Sequence, residues 1–132
     1  MIHLDKKTKI LVMDDDNNTR EVLGEILKTL GYDPHFAKDG EEAYELYKSS
    51  MNESKKFNVV LMDLNVKQGI GGVEGAKKLI SIDPQAKVIV TSGHFDVPLQ
   101  RNFKEHGFSG MLLKPFKINE LKKQLNDSIK PS

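Results

Sequence analysis

The feature that most constrains the fold is a run of four apolar residues, Val59–Met62, that stops abruptly at Asp63. Two of the four residues are β-branched, and a continuous apolar run of this length is typical of a strand buried on both faces. A carboxylate at the end of a buried strand is unfavourable unless a neighbouring group compensates its charge. The rest of the chain must therefore bring such a group to the end of this strand.

Three other short apolar runs also end at residues that can take part in chemistry. They are Ile10–Met13 before Asp14, Val88–Val90 before Thr91, and Met111–Leu113 before Lys114. Amphipathic segments with helical spacing separate the runs, which predicts βαβ units and a parallel sheet. In an open parallel sheet, functional groups collect at the carboxyl ends of the strands. We therefore expect carboxylates, a hydroxyl and an ammonium group at one edge of the sheet.

The predicted fold is α/β, a flavodoxin-like (βα)5 doubly wound five-stranded parallel sheet with strand order 2-1-3-4-5. Strands are predicted at residues 9–14, 32–37, 58–62, 87–91 and 109–113, and a weaker helix at 97–106. Asn17 or Asn18 is expected to cap the first helix, and Gly31 to end it. Pro34 indicates either that the second strand lies at an edge of the sheet or that the proline is among the first residues of the strand.

Composition narrows the class of protein. A length of 132 residues fits one domain, so we expect a single domain over residues 1–132 with a core of about 8–129. The formal net charge of +1 gives no reason to expect nucleic acid or an anionic membrane as a partner. The absence of cysteine excludes disulfides and thiol chemistry. No apolar run has signal-peptide character or membrane-spanning length, so a cytoplasmic protein is expected.

The strand ends carry a specific set of groups. Asp14 and Asp15 follow the first strand and Asp63 follows the third, and these strands are neighbours in the predicted order. Adjacent carboxylates repel one another unless a cation lies between them, and oxygen ligands of this kind suit Mg²⁺. With the ammonium of Lys114 and the hydroxyl of Thr91, the set is suited to phosphoryl transfer with Asp63 as nucleophile.

At these residues the chain resembles a response regulator receiver domain, the phosphoacceptor module of two-component signalling and chemotaxis, over nearly its full length. The matching motifs are the apolar strand before Asp14-Asp15, Arg20, Asp39–Ala43, Leu61–Asn65, Gly72, Thr91–Gly93 and Lys114–Phe116. The resemblance implies that Asp63 accepts a phosphoryl group from a phosphohistidine of a sensor histidine kinase or a histidine phosphotransfer protein. It implies direct Mg²⁺ ligation by Asp15, Asp63 and the backbone carbonyl of Asn65, with Asp14 helping through water.

The resemblance also implies that Lys114 and Thr91 contact the phosphoryl oxygens. Thr91 and Met111 occupy the positions of the family's conformational switch, and a cis peptide bond is expected before Pro115. Such a protein catalyses its own phosphorylation and dephosphorylation but is a signalling module rather than a metabolic enzyme. It would act on a downstream protein as a monomer or weak dimer.

The chain departs from the family pattern at three places. The loop after Asp63 reads Val66-Lys67 where a Met-Pro pair is usual, and its glycine-rich length resembles receivers attached to hybrid histidine kinases. Met111 replaces an aromatic residue. Gly93, two residues after Thr91, has no side chain to shield the site, so we expect an altered phosphoryl lifetime.

Two rival readings begin at Asp14. A haloacid-dehalogenase-like phosphatase would use Asp14 as nucleophile and Asp16 two residues later, although Asp63 would then have no role. A calcium-binding EF-hand would use the oxygen-bearing residues at loop positions one, three, five and twelve, namely Asp14, Asp16, Asn18 and Glu25. Thr19, however, stands where that loop requires glycine. A receiver-like module that no longer takes a phosphoryl group is disfavoured, because each catalytic position is filled.

Overall fold

The computed structural model describes residues 8–53, 55–65, 72–93 and 101–129. Its centre is a sheet of five strands, β1 (Lys9–Met13), β2 (Asp33–Ala37), β3 (Val59–Asp63), β4 (Val88–Ser92) and β5 (Gly110–Leu113). The strands lie in the order β2-β1-β3-β4-β5, and every neighbouring pair is parallel. The predicted fold class and strand order are therefore confirmed, including the edge position of the strand that contains Pro34.

Four helices lie within the described residues, α1 (Asn17–Thr29), α2 (Gly40–Ser50), α3 (Gly72–Ile82) and α4 (Ile118–Ile129). None of these helices is long and apolar enough to cross a membrane. The weaker helix predicted at 97–106 lies partly outside the described residues, and only Arg101 and Asn102 of it are helical in the described part.

Two apolar cores form, one on each face of the sheet, because alternate residues of a strand point to opposite faces. The first core packs alternate strand residues against α2 and α3, and includes Leu11, Val60, Val90, Ala43, Tyr47 and Leu79. The second packs the intervening strand residues against α1 and α4, and includes Ile10, Leu61, Ile89, Leu27, Leu121 and Leu125. All residues of β3 and β4 are buried, as expected of central strands covered on both faces.

The start of α1 differs from the prediction. Asp16, rather than Asn17 or Asn18, caps the helix, and its carboxylate accepts a hydrogen bond from the Thr19 backbone N–H at 3.0 Å. A capping residue keeps extended backbone angles, which Asp16 has, whereas Asn17 already belongs to the helix. At the other end of α1, Gly31 adopts a left-handed φ of 94° and ends the helix as predicted.

Helix α3 begins in direct contact with the end of β3. A Cβ atom at Gly72 would lie 2.2 Å from the carbonyl oxygen of Asp63, so only glycine permits this approach. A second close approach joins the neighbouring helices, since a Cβ atom at Gly75 would lie 2.8 Å from Cα of Gly40. The packing of α2 and α3 therefore depends on small residues next to the strand end that carries Asp63.

Candidate functional site

The carboxyl ends of the strands bring the predicted site residues together. Asp14 follows β1 and Asp63 ends β3, which pair side by side, and Asp63 lies opposite Thr91 in the pairing of β3 with β4. One carboxylate oxygen from each of Asp14, Asp15 and Asp63 lies within 4.8 Å of the others. Asp14, Asp63 and Thr91 are buried, whereas Asp15 is exposed. The expected carboxylate cluster is therefore present, with one member open to solvent.

Lys114 links two of these carboxylates. Its Nζ atom lies 2.8 Å from Oδ2 of Asp14 and 3.5 Å from Oδ2 of Asp63. The backbone N–H of Lys114 donates to the carbonyl of Ser92 at 2.7 Å, and the Lys114–Pro115 peptide bond is cis. The ammonium group thus reaches from the end of β5 across the end of β4 to the cluster.

The two oxygens of Asp63 have different surroundings. Oδ1 accepts a hydrogen bond from the Asn65 backbone N–H at 3.0 Å, and Oδ2 faces Lys114. Burial raises the pKa of Asp63, and the nearby charge of Asp14 adds to this increase. The hydrogen bond from Asn65 and the charge of Lys114 offset the pKa increase only in part. Asp63 is therefore a carboxylate whose negative charge is incompletely compensated.

The surroundings of Lys114 favour its charged form. Burial alone would lower the pKa of Lys114, but its hydrogen bond to Asp14 and the charges of Asp63 and Asp14 outweigh burial and raise that pKa. Lys114 consequently keeps its positive charge at neutral pH. The site holds a permanent ammonium group beside the oxygen of Asp63 that is not bonded to the backbone.

The turn that carries Asp14 is held in place by backbone and side-chain contacts. Oδ1 of Asp14 accepts from the Asp16 backbone N–H at 2.9 Å, and a guanidinium nitrogen of Arg20 donates to the Asp14 carbonyl at 2.7 Å. Arg20 also donates to Oδ1 of Asn17 at 3.2 Å. The sequence identified Arg20 only as part of a motif. Its position one turn inside a capped helix, close behind the acidic residues, was the signal for this role.

Asp16 caps α1 and is not a member of the carboxylate cluster. Its Oδ2 atom accepts from both the backbone N–H and the hydroxyl of Thr19, at 3.0 and 2.6 Å, and these bonds lower the pKa of Asp16. Both rival readings need Asp16 as a working group, either beside the nucleophile of a phosphatase or as a calcium ligand. Its carboxylate is instead committed to capping α1.

The remaining predicted residues lie beside the cluster. Met111 is half-buried, pairs with Val90 of β4, and packs against the first core. Asn65 makes a contact that the sequence did not predict, since its Oδ1 accepts a hydrogen bond from the Gly93 backbone N–H at 2.7 Å. No sequence signal marks this bond, because it depends on how two separate chain segments approach. The loop departures at Val66 and Lys67 lie outside the described residues.

The donor atoms of the cluster fit a hard divalent cation. All of them are oxygens, three carboxylates share one small volume, and the Asn65 carbonyl belongs to the segment that directly follows Asp63. Mg²⁺ prefers such oxygen ligands and usually retains several waters, which agrees with a cluster that has one solvent-exposed member. The residues present therefore suit Mg²⁺ chemically.

Comparisons with known proteins agree with this arrangement. The response regulator receiver domain family matches residues 10–126. A cyclic di-GMP phosphodiesterase of Thermotoga maritima is 27% identical over 121 residues, and the match covers 92% of this chain but 31% of that protein. The chemotaxis protein CheY of the same organism is 29% identical over 119 residues, covering 89% of this chain and 94% of CheY.

A solved structure shows the same fold. The response regulator protein TrrA of Thermotoga maritima, solved in complex with Mg²⁺ and BeF, superposes with a TM-score of 0.78 at 28% identity. The match covers 92% of this chain and 98% of that one. Because the family match spans most of the sequence and the strand order agrees with it, this chain belongs to the response regulator receiver domains of two-component systems.

Proposed function

We propose that Asp63 of this receiver domain accepts a phosphoryl group, in a Mg²⁺-dependent reaction, from a phosphohistidine on a sensor histidine kinase or a histidine phosphotransfer protein. One observation carries the proposal. Oδ2 of the buried Asp63 carboxylate faces the ammonium of Lys114 at 3.5 Å, within a cluster of three carboxylates. A nucleophile, a fixed positive charge and a set of metal ligands thus converge on one point.

In the proposed transfer, Oδ2 of Asp63 attacks phosphorus while the bond from phosphorus to the histidine nitrogen breaks. The electron pair of that bond goes to the histidine nitrogen, and the product is an aspartyl phosphate. The Asn65 N–H holds Oδ1, which leaves Oδ2 as the attacking atom. Burial, which raises the pKa of Asp63, leaves its carboxylate less solvated than that of an exposed aspartate.

Asp15, Asp63 and the backbone carbonyl of Asn65 would hold Mg²⁺, and Asp14 would assist through water. When bound, the metal would neutralise charge on the phosphoryl oxygens. Lys114 performs a related task with its own charge. It lies nearer Asp14 than Asp63, and the added negative charge of a phosphoryl group on Asp63 would draw its ammonium toward that group. The Thr91 hydroxyl would contact the same oxygens. Water then attacks the phosphorus atom, the phosphorus–Oδ2 bond breaks with its electron pair on Oδ2, and inorganic phosphate leaves, which restores the Asp63 carboxylate.

An apolar groove of this chain lies beside the site and offers the donor protein a docking surface. The groove has a volume of about 610 Å³ and lies between α1 and the segment 114–116, and both Gly93 and Lys114 line it. Val22, which lines the groove, is 58% exposed and offers a partner apolar surface. A helical partner seated there would bring its histidine to the edge of the carboxylate cluster. This geometry supports a histidine phosphoprotein as the partner.

Intact mass measurement after incubation with Mg²⁺ and acetyl phosphate tests the proposal. Wild-type protein should gain one phosphoryl group and Asp63→Asn none. Asp83→Asn is the matched control, because Asp83 is also buried, also faces a lysine, and does not belong to the carboxylate cluster. Normal labelling of Asp63→Asn, with loss of labelling in Asp14→Asn, would contradict the proposal and support an Asp14 nucleophile.

A further inference from the structure

Asn65 connects two strand ends through its own hydrogen bonds. Its backbone N–H donates to Oδ1 of Asp63 at 3.0 Å, and its side-chain oxygen accepts from the Gly93 N–H at 2.7 Å. Because Gly93 offers an N–H, the atom that faces it must be the amide oxygen of Asn65. Asn65 is the second residue after Asp63, and Gly93 is the second residue after Thr91. The bond therefore ties the segment that follows β3 to the segment that follows β4.

This bond forms at an exposed place. Both Asn65 and Gly93 are exposed, so water could satisfy either group if the side chain were elsewhere. Space does not force the contact either, because within the described part of the chain a Cβ atom at Gly93 would meet only Oδ1 of Asn65, at 3.8 Å. The contact thus reflects a specific pairing between one side chain and one backbone N–H.

We propose that the hydrogen bond from Gly93 to the Asn65 side chain couples Mg²⁺ binding to the position of the end of β4. The proposal rests on the proposed function, in which the metal takes the backbone carbonyl of Asn65. The Gly93 bond fixes the residue that carries this carbonyl, so the ligand is held in place before the metal arrives. Asn65 is in this sense a positioning residue, since its side chain acts through its own backbone.

Thermodynamic linkage makes the coupling reciprocal. If the bond to Gly93 favours metal binding, metal binding must strengthen the bond by the same factor. Bound metal would therefore steady the end of β4, which carries Thr91, before any phosphoryl group is present. A single hydrogen bond of ordinary net strength corresponds to a change of about threefold to tenfold in affinity.

Hydrogen exchange of the Gly93 amide, followed by NMR, tests the bond itself. In metal-free wild-type protein this amide should exchange more slowly than expected for an exposed glycine, and in Asn65→Ala it should lose that protection. Asn65→Asp keeps an acceptor oxygen and should restore it. Added Mg²⁺ should slow the exchange further in wild-type protein and leave the Asn65→Ala amide unprotected.

Calorimetric titration with Mg²⁺ tests the coupling. Asn65→Ala retains the backbone carbonyl, and we expect it to bind Mg²⁺ about threefold to tenfold more weakly than wild type. Gly93→Pro, which removes the donor, should show the same loss, whereas Gly93→Ala keeps the donor and should bind as wild type. Gly93 lies outside the left-handed region, so alanine suits its backbone, and the residue before it, Ser92, has the strand conformation that a following proline favours. The double variant should be no weaker than either single variant.

The outcomes separate this proposal from the proposed function. An unprotected Gly93 amide in wild-type protein overturns the bond, and wild-type Mg²⁺ affinity in both Asn65→Ala and Gly93→Pro overturns the coupling, while phosphorylation of Asp63 would stand. If the Mg²⁺ titrations give the expected affinities but acetyl phosphate does not label Asp63, only the phosphoacceptor role is overturned. A wild-type protein that binds no Mg²⁺ overturns both proposals.

Discussion

Asp63 and Asp83 are two buried aspartates built on the same local pattern, at opposite ends of the sheet. They are 3% and 6% exposed. The Oδ1 atom of each accepts a hydrogen bond from the backbone N–H of the residue two positions later, at 3.0 Å from Asn65 and 3.1 Å from Gln85. Each also faces a lysine. Their pKa values nevertheless shift in opposite directions, upward for Asp63 and downward for Asp83.

The difference lies in the second carboxylate oxygen. Oδ2 of Asp83 accepts from the Tyr47 hydroxyl at 2.5 Å and from Lys56 Nζ at 2.8 Å. Burial alone would raise the pKa of Asp83, but these bonds and the one from Gln85 outweigh burial and lower it. Oδ2 of Asp63 has Lys114 at 3.5 Å, and that lysine lies closer to Asp14. Asp83 is thus fully used in holding the fold, whereas Asp63 keeps charge available for a metal or a phosphoryl group.

The largest expected effect that separates the two residues is on stability. Asp83→Asn should lower the free energy of unfolding by about 2 kcal/mol, because a buried hydroxyl and an ammonium lose their shared acceptor. Asp63→Asn should leave the free energy of unfolding unchanged or raise it, since it removes repulsion from Asp14. Urea unfolding in metal-free buffer measures both, by circular dichroism because the chain has no tryptophan.

An exposed aspartate serves as the control for that comparison. Asp127 pairs with Lys123 at 3.2 Å on the surface of α4, and its side chain is half exposed. Asp127→Asn should change the free energy of unfolding by less than about 0.5 kcal/mol, as is usual for exposed pairs. Equal losses for Asp83→Asn and Asp63→Asn would show that the two buried carboxylates have the same structural role.

The pH dependence of stability should separate the residues in sign. The folded pKa of Asp83 lies below its ordinary value of 3.8, so its stabilising contribution is present above that pH and is lost as pH falls through the folded pKa. The folded pKa of Asp63 lies above 3.8, so its ionisation removes stability as pH rises from 3.8 through the folded pKa.

Unfolding measured from about pH 3 to pH 7 gives these contributions as differences from wild type. The deficit of Asp83→Asn should shrink toward the acid end. The advantage of Asp63→Asn should grow toward neutral pH. A deficit of Asp83→Asn that is constant with pH would contradict a role for its negative charge.

A smaller effect is expected at the exposed member of the cluster. Asp15→Asn should raise the free energy of unfolding of the metal-free protein, by less than about 1 kcal/mol because Asp15 is exposed and its repulsion from Asp14 and Asp63 is screened. The same change should weaken Mg²⁺ binding, since one proposed ligand loses its charge. Thermal unfolding with and without Mg²⁺ measures both effects. A lower melting temperature for metal-free Asp15→Asn would contradict a shared carboxylate pocket.

Much of this arrangement could be predicted from the sequence, because it depends on short apolar runs and on where each run stops. The residues that follow the runs, Asp14, Asp63, Thr91 and Lys114, had to meet once the strands were parallel and in the order observed. The sequence pattern thus determined both the sheet and the composition of its carboxyl edge.

The contacts that the sequence did not reveal depend on the exact approach of distant segments. By itself, Asp83 before Pro84 indicates only the end of a helix, and no neighbouring residue shows that Tyr47 and Lys56 contact Asp83. The bond between Asn65 and Gly93 is of the same kind. At α1 the sequence predicted Asn17 or Asn18 as the cap, and backbone geometry rather than residue type selected Asp16.

The smallest expected effect concerns how a signal leaves Asp63, and here Met111 is the decisive residue. It lies beside β4, paired with Val90, and is half-buried against the first core. Methionine is flexible and has no ring to move between two discrete packings, whereas a bistable element is what carries a local change to a distant surface. We therefore expect Thr91 to respond to phosphorylation while residues 96–116 change little through Met111. More of the signal should run through residues 65–72, which are rich in glycine and next to Asp63.

Backbone NMR shifts with and without a beryllofluoride mimic of the phosphoryl group measure this route of the signal, with Met111→Ala as the comparison. Large shifts across residues 96–116 that vanish in Met111→Ala, with residues 65–72 unaffected, would contradict the expected route.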